Sequence, residues 1–392
     1  MLEPLLTLHE IFGSKYIVNG RASYHNSQWL PGQISQDSTS GSLLAVAGKV
    51  PIICHEDVSR ASCLMLLEAA GLQVGSNLLT YEDEESYYEL LQYQQSKGSN
   101  LVFNYAHLPG EFDEKQYWID KELLLFLNNK SNLEELVSQP YVPKRRILPI
   151  DHLVESDTMP FDFPYVVKAA TDEPNGGGLE VVICKTLEDL QRARELFRFC
   201  SFVVVEEFLK VKRNFCVQFA HTYTGDTVYL GSAEQVITEE GKYLGNWIDM
   251  HDQPPEEAIE LCRQVMEKAA SLGYVGFAGI DIVFTEDNRM FIIDLNFRQN
   301  GSTMALLFKD SIAELLDATV LKLGKWKINS TFHAFRLLTE TLIRENMMIP
   351  FCIYNPTNQT DDNPIFVYGV LLGRSKEEIM EVERQIHEMG FR

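Results

Sequence analysis

Gly279-Ile-Asp281-Ile-Val283, followed by Phe291-Ile-Ile-Asp294-Leu-Asn296-Phe-Arg298, is the stretch that decides how this 392-residue chain is read. Both halves are short apolar runs interrupted by polar residues, and Glu286-Asp-Asn-Arg289 between them is a hairpin signal. Asp281 falls 13 residues before Asp294, and Asn296 lies two beyond it. On adjacent antiparallel strands the two carboxylates can point to one face, and the period of two puts Asn296 and Arg298 there as well. Two acids and an asparagine among Ile, Val and Phe are costly to bury without a cation. Together they form a hard-oxygen set suited to Mg²⁺, which takes few protein ligands and completes its shell with phosphates and water.

Upstream, Phe163-Pro-Tyr-Val-Val-Lys168 reads as a strand that delivers a lysine, and Asp172-Glu-Pro-Asn-Gly176-Gly177-Gly178-Leu179 as a glycine-rich turn. Such a turn can bring backbone N–H groups close to phosphates at positive φ. Taken alone, a hairpin with a surface lysine explains the same residues equally well. Val203-Val-Val-Glu206-Glu207-Phe-Leu209 is an apolar strand ending in acids. Backbone groups of Glu207 and Leu209 would suit an adenine edge and a carboxylate would suit ribose hydroxyls; a core strand with an exposed polar end is the plainer reading. Lys130, in Leu127-Asn-Asn-Lys130, opens a helix and gains meaning only from its place in the order.

Residues 43–54 and 101–105 read as buried strands and 59–71 and 83–96 as helices. This alternation predicts an α/β domain over 1–120, with the Gly-Ser-rich 32–42 as a loop. A helix pair over 121–138 and a Pro-marked linker at 143–149 follow. Thr186–Phe197 is predicted as a helix opened by an acidic capping box, Thr186 with Asp189. Strands over 202–208, 215–222 and 227–233 and a helix over 255–272 precede the opening stretch. Beyond 330, strand-like segments over 331–370 surround a polar loop, and a charged amphipathic helix covers 375–389.

The net charge of −22, from 56 acidic against 34 basic residues, argues against binding nucleic acid or an anionic membrane. The basic run Lys144-Arg145-Arg146 reads as a solvated face. Seven cysteines without a C-x-x-C pair suit buried free thiols in a reducing cytoplasm. No signal peptide and no membrane span is read. There is no G-x-x-x-x-G-K-[ST] loop, and the protein-kinase H-R-D and D-F-G motifs are also absent.

The order Lys130, Lys168 with its glycine turn, Glu206-Glu207-Phe-Leu209, then Asp281, Asp294, Asn296 and Arg298 resembles the ATP-grasp superfamily. It is similar in particular to D-alanine–D-alanine ligases and biotin carboxylases, over residues ~125–310. The resemblance implies an α/β (α+β) fold: a pre-ATP-grasp domain over 1–120, a two-lobed ATP-grasp domain over 121–320 with its lid at about 150–210, and a small C-terminal α+β domain over 321–392. It implies ATP and Mg²⁺ (or Mn²⁺) as cofactors. Lys130 and Lys168 would contact the α- and β-phosphates, with Gly176, Gly177 and Gly178 closing over the triphosphate. Glu206, Glu207 and Leu209 would form the adenine and ribose hinge, and Asp281, Asp294 and Asn296 would hold the metal. Arg298, with Lys168, would serve the transferred phosphoryl group. Asp294 stands where the family more often has glutamate, which shortens that ligand by a methylene. Asn214 and Cys216 stand where other members use charged residues.

Asn296-Phe-Arg-Gln-Asn-Gly-Ser-Thr303 and the overall layout resemble a narrower group, the amino-acid and peptide ligases of antibiotic biosynthesis. That likeness implies a carboxylate–amine ligase working through an acyl phosphate on small amino-acid or peptide substrates; a homodimer is one assembly it allows, and the sequence does not set the oligomeric state. The loop Asn300-Gly301-Ser302 would hold a substrate carboxylate, and His221, Asp249 and His251 could face the site. Three alternatives use the same residues: a ligase whose acceptor is an acyl carrier protein, a kinase phosphorylating a hydroxyl, and a non-catalytic nucleotide-binding protein.

Overall fold

Three β-sheets organise the chain, and each follows from a different burial pattern. A computed structural model describes residues 1–25, 28–155, 159–237 and 243–392, without the side chains of 154, 155, 237, 243 and 244. The predicted lid range therefore includes 156–158, which lie outside the described residues. The first sheet contains β1 (Tyr16–Asn19), β2 (Ile52–His55), β3 (Leu78–Tyr81) and β4 (Asn100–Phe103), in the order β3-β2-β1-β4. Its pairs are parallel. Parallel neighbours need crossovers, and the helices Ala61–Ala69 and Glu84–Ser96 lie in two of them.

Two expectations fail in this region. Residues 43–54 are not one strand: Leu44–Val46 is a 3-10 turn and only Ile52–His55 is extended. Gly48 at φ +58° and Pro51 separate the two pieces. Residues 32–42 are not a plain loop either, because Gln33–Thr39 is a helix with Gln36, Asp37 and Ser38 buried. Its polar side chains are satisfied inward. Gln33 accepts from Arg21, and Asp37 accepts from Tyr81 at 2.9 Å.

The second sheet contains β5 (Arg145–Pro149), β6 (Tyr165–Ala170), β7 (Val181–Cys184) and β8 (Phe202–Glu207), antiparallel in the order β5-β8-β6-β7. The helix Leu187–Phe197 packs against it and carries the predicted capping box, with Asp189 N donating to Thr186 Oγ1 at 3.3 Å. This lobe has its own core, including Tyr165, Val167, Val203, Val205 and Phe197. Trp29 from the N-terminal region completes it, 2% exposed and 5.6 Å from the Phe197 ring.

The third sheet is the largest: β9 (Val211–His221), β10 (Thr227–Ile237), β11 (Tyr243–Asp249), β12 (Gly276–Thr285), β13 (Met290–Asn296), β14 (Val320–Ile328), β15 (Met348–Tyr354) and β16 (Ile365–Gly373). Its order is β13-β12-β9-β10-β11-β14-β16-β15. The C-terminal strands are continuous with it, because β14 pairs with β11 from Asn246↔Leu323 to Asp249↔Val320. Phe332–Arg344, expected as strand-like, is a helix capped by Thr331, and it buries Phe335, Thr339 and Leu342. That four-and-three spacing is helical. One core cluster joins the first sheet to this C-terminal part, through Leu44, Ile52 and Leu67 with Phe308, Val320 and Phe351. A second joins Leu101, Phe103 and Leu124 to Val217, Ile280 and Ile292. The first sheet is thus wedged between the two, and the cleft opens where all three sheets meet. All seven cysteines are free and buried, and no helix among the described residues is long and apolar enough to cross a membrane.

Candidate active site

The hairpin β12–β13 sets the centre of the site. Asp281 lies directly opposite Asp294, and the next pair is Ile282↔Ile292, so Ile293 is an extra, bulged residue. A bulge turns a carbonyl out of the ladder, and here Ile293 O accepts from Lys168 Nζ at 2.7 Å. Asp281 is 9% exposed and Asn296 8%. Burial, reinforced by the charge of Asp294, pushes the Asp281 carboxyl up to about 6. Burial acts the same way on Asp294, but the ammoniums of Lys130 and Lys168 overcome it and hold that carboxyl low. Lys130 Nζ lies 2.7 Å from Asp294 Oδ1 and 3.2 Å from Glu180 Oε1.

Oxygens Asp281 Oδ1, Glu180 Oε2 and Glu206 Oε1 are buried without a hydrogen-bond partner. Each such atom costs about 1–3 kcal/mol or more, so the pocket is poised for a cation. Among the described residues no three His, Cys, Asp or Glu side chains gather at one point. The set suits a metal that takes Asp281, Asp294 and the Asn296 amide and completes its shell with phosphate oxygens.

Lys168, within β6, reaches Glu206 Oε2 at 2.6 Å. Arg145 Nη1 approaches the other oxygen of Glu206 at 3.6 Å, and Arg145 also donates to Lys130 O. Glu206 is 3% exposed and pairs with two cations, so its carboxylate is not a free ribose ligand as expected. Glu207 is also committed: Oε1 accepts from Lys144 N at 2.8 Å, and its own N–H donates to Lys144 O at 2.9 Å. Lys144 and Arg146 are exposed as read, but Arg145 between them is 5% exposed and points inward, which corrects the solvated reading at that residue. Val166, Ile183, Phe208, Leu209 and Val283 line an apolar slot between the second sheet and the large sheet, of a kind that suits a flat base.

The glycine turn lies over this cleft. Gly177 and Gly178 adopt φ +73° and +77°, which side chains disfavour. Three hydrogen bonds hold the turn down: Gly176 N to Trp29 O at 3.0 Å, Arg298 Nη2 to Asn175 O at 3.1 Å, and Asn129 Nδ2 to Asp172 Oδ1 at 2.7 Å.

Arg298 stands just past the end of β13, 5.2 Å from the Tyr105 ring. Burial alone would lower its pKa, but Tyr105, Asp294 and Glu180 outweigh that and raise it. Asn300 Nδ2 donates to Arg298 O at 2.7 Å, Ser302 Oγ accepts from Gln218 Nε2 at 2.7 Å, and Gly301 O accepts from Tyr368. The Asn300 amide and the Ser302 hydroxyl therefore brace the loop and Arg298. With Ser302 1% exposed, that hydroxyl is not offered to a substrate as expected.

All fifteen candidate residues of the sequence line one cleft of about 660 Å³; His221, Asp249 and His251 do not. Sequence reasoning missed Glu180, Arg145, Tyr105 and Lys325. Glu180 directly follows the glycine turn, the one local hint available; the others carry no pattern. On the far wall, Ser35, Gln36, Thr39 and Ser42 of the N-terminal part face Lys325 and Tyr368 of β14 and β16.

Two family models match the chain. One, described as the N-terminal domain of L-aspartate–L-methionine ligase, covers residues 7–125; the other, described as L-aspartate–L-methionine ligase, ATP grasp, covers 143–296. A D-alanine–D-alanine ligase of Geobacter sulfurreducens is 25% identical over 204 residues, 48% of this chain and 62% of that protein. One from Francisella philomiragia is 27% identical over 43% of this chain and 55% of its own length. The chain thus spans less than two thirds of these curated relatives. A solved N5-carboxyaminoimidazole ribonucleotide synthetase with ADP superposes with TM-score 0.60 at 13% identity, over 99% of this chain and 98% of that one. An L-amino acid ligase from Bacillus licheniformis gives 0.51 at 13% identity, over 86% and 96%. These two show the likeness of fold. With the order of the site residues and the two family models in agreement, the chain belongs to the ATP-grasp carboxylate–amine ligases.

Proposed function

We propose that this protein joins two free amino acids through an amide bond, at the cost of ATP, with L-aspartate and L-methionine as the first pair to test. The observation that carries this reading is the convergence of Lys130, Lys168, Asp281, Asp294 and Arg298 in one cleft beneath the lid. The descriptions of both matching family models support the choice of substrates.

In this reading Asp281, Asp294 and Asn296 would hold Mg²⁺, which when bound would supply charge neutralisation for the triphosphate. Lys130 and Lys168 exchange internal carboxylate partners for phosphate oxygens. A carboxylate of the first amino acid takes the γ-phosphoryl group, ADP leaves, and the amine of the second displaces inorganic phosphate. Arg298, held by Asn175 O and flanked by Tyr105, faces the charge that develops on the acyl oxygen. The latched glycine turn keeps water from an acyl phosphate that would otherwise hydrolyse. Here the chain itself supplies positioning and charge, not a nucleophile.

The test is a screen of amino-acid pairs for ADP and phosphate release, with product mass. The expected result is one ADP and one phosphate per dipeptide, most strongly for aspartate with methionine. A stable phosphorylated product would instead make the protein a kinase, and absence of turnover with every pair would overturn the reading.

A further inference from the structure

Lys325 differs from the other lysines of the cleft. Lys130 and Lys168 lie against carboxylates, whereas the described residues give Lys325 only neutral oxygens: Ser38 Oγ at 2.7 Å and Ser35 Oγ at 3.0 Å. Its ammonium also lies 4.6 Å from the Phe366 ring. A half-buried ammonium without an anion is costly, and burial, opposed by the Cys352 thiol, brings its pKa down to about 8. The position is well defined. Lys325 faces Tyr368 across the β14–β16 ladder, and Tyr368 is tied through Gly301 O to the loop that follows Arg298.

Distance says which group would come to it. β14 stands four strands from β12 along the large sheet, roughly 19 Å at ~4.8 Å per strand. That span sets Lys325 apart from Asp281 along the sheet, while the Tyr368–Gly301 contact keeps it beside the loop that follows Arg298. It suits the far end of a row made of phosphoryl group, acyl donor and acceptor, of which an extended dipeptide alone covers about 7 Å.

We propose that Lys325 recognises the free α-carboxylate of the acceptor, the amino acid whose amine is acylated. The inference rests on the ligase reading above and specifies its second substrate as an untethered α-amino acid. A charge-assisted bond at this position would supply the anion that the serines do not, and would exclude acceptors whose carboxyl is esterified or carried on a protein.

The test compares each acceptor amino acid with its α-carboxamide, starting with methionine and methioninamide. Wild-type enzyme is expected to favour the acid by about 10- to 100-fold in kcat/KM, the range of a lost charged hydrogen bond. Lys325→Met should abolish that preference while leaving KM for ATP unchanged, and Lys325→Arg should restore part of it. A purely structural lysine, tying Ser35 and Ser38 to β14, would not move the acid-to-amide ratio. Wild-type indifference to amidation overturns the proposal, and so does a preference that persists in Lys325→Met. Should the Met variant fail to fold, the wild-type ratio and the Arg variant still decide. Failure of the ligase reading itself would be distinct, with no ADP release from wild-type enzyme on any pair, and would take this inference with it.

Discussion

At the end of the cleft built by β12, β13 and the second sheet, Lys130 and Lys168 each sit on an acid, and Asp281 and Glu180 each keep one oxygen without a hydrogen bond. At the end built by β14 and the helix Gln33–Thr39, a lysine sits on two hydroxyls. The first end is balanced for exchange, because a triphosphate and its metal can replace internal ion pairs without leaving a buried charge alone. At the second end Asp37 is spent on Arg21 and Tyr81, and no carboxylate among the described residues pairs with Lys325, which is the environment of a site that takes an anion from a substrate.

The sharpest way to break this comparison is at the balanced end. Asp294→Ala removes the nearest anion of Lys130 and half of the carboxylate pair. ADP release should fall by at least about 1000-fold, the scale of losing a key electrostatic group. Melting should also drop, since breaking a buried pair costs about 3–5 kcal/mol. Turnover near the wild-type level would end the metal assignment. A smaller effect is expected at the lid. At Gly177 an added methyl meets nothing within 4 Å, so Gly177→Ala strains only the backbone. At about 1–2 kcal/mol this should lower kcat/KM roughly tenfold with little change in melting; a silent variant would mean the turn does not have to close.

The smallest effect sharpens the other end. The ammonium of Lys325 loses its charge as pH rises through about 8. Ser35, Ser38, Phe366, Tyr368 and Cys352 surround it, and the last two are weak acids raised by burial. The ratio of kcat/KM for acid over amide acceptor should therefore decline several-fold from pH 7 to 9, since the acceptor amine titrates alike in numerator and denominator. The sign for stability is opposite. With the folded pKa depressed from 10.5, the unfolded chain binds more protons between about 8 and 10.5, and stability gains with pH over that window. A flat ratio in wild type, or the same decline in Lys325→Met, would separate Lys325 from acceptor binding.

Much of the balanced end was legible because its chemistry is written in local pattern. The spacing and the hairpin signal put Asp281 and Asp294 on adjacent antiparallel strands, and a bulge at Ile293, which no spacing announces, brings them directly opposite each other. The capping box at Thr186 is equally local. What patterns missed is of another kind. A carboxylate of the Glu206-Glu207 pair was expected to face ribose hydroxyls, yet Lys168, Arg145 and Lys144 use both side chains. Ser302 looked available, and Gln218 holds it. The helix Gln33–Thr39 looked like a loop because its polar face is satisfied by residues distant in sequence, such as Tyr81.

The sequence by itself picked out the residues that line the cleft around β12 and β13, because strand periodicity and short spacings constrain side chains within a few residues of each other. Only the tertiary structure decided which of those groups are already spent on ion pairs. It also decided that the C-terminal strands extend the same sheet and bring Lys325 into the cleft. The reason is physical: burial, ion pairing and desolvation depend on neighbours hundreds of residues apart, and no local period records them.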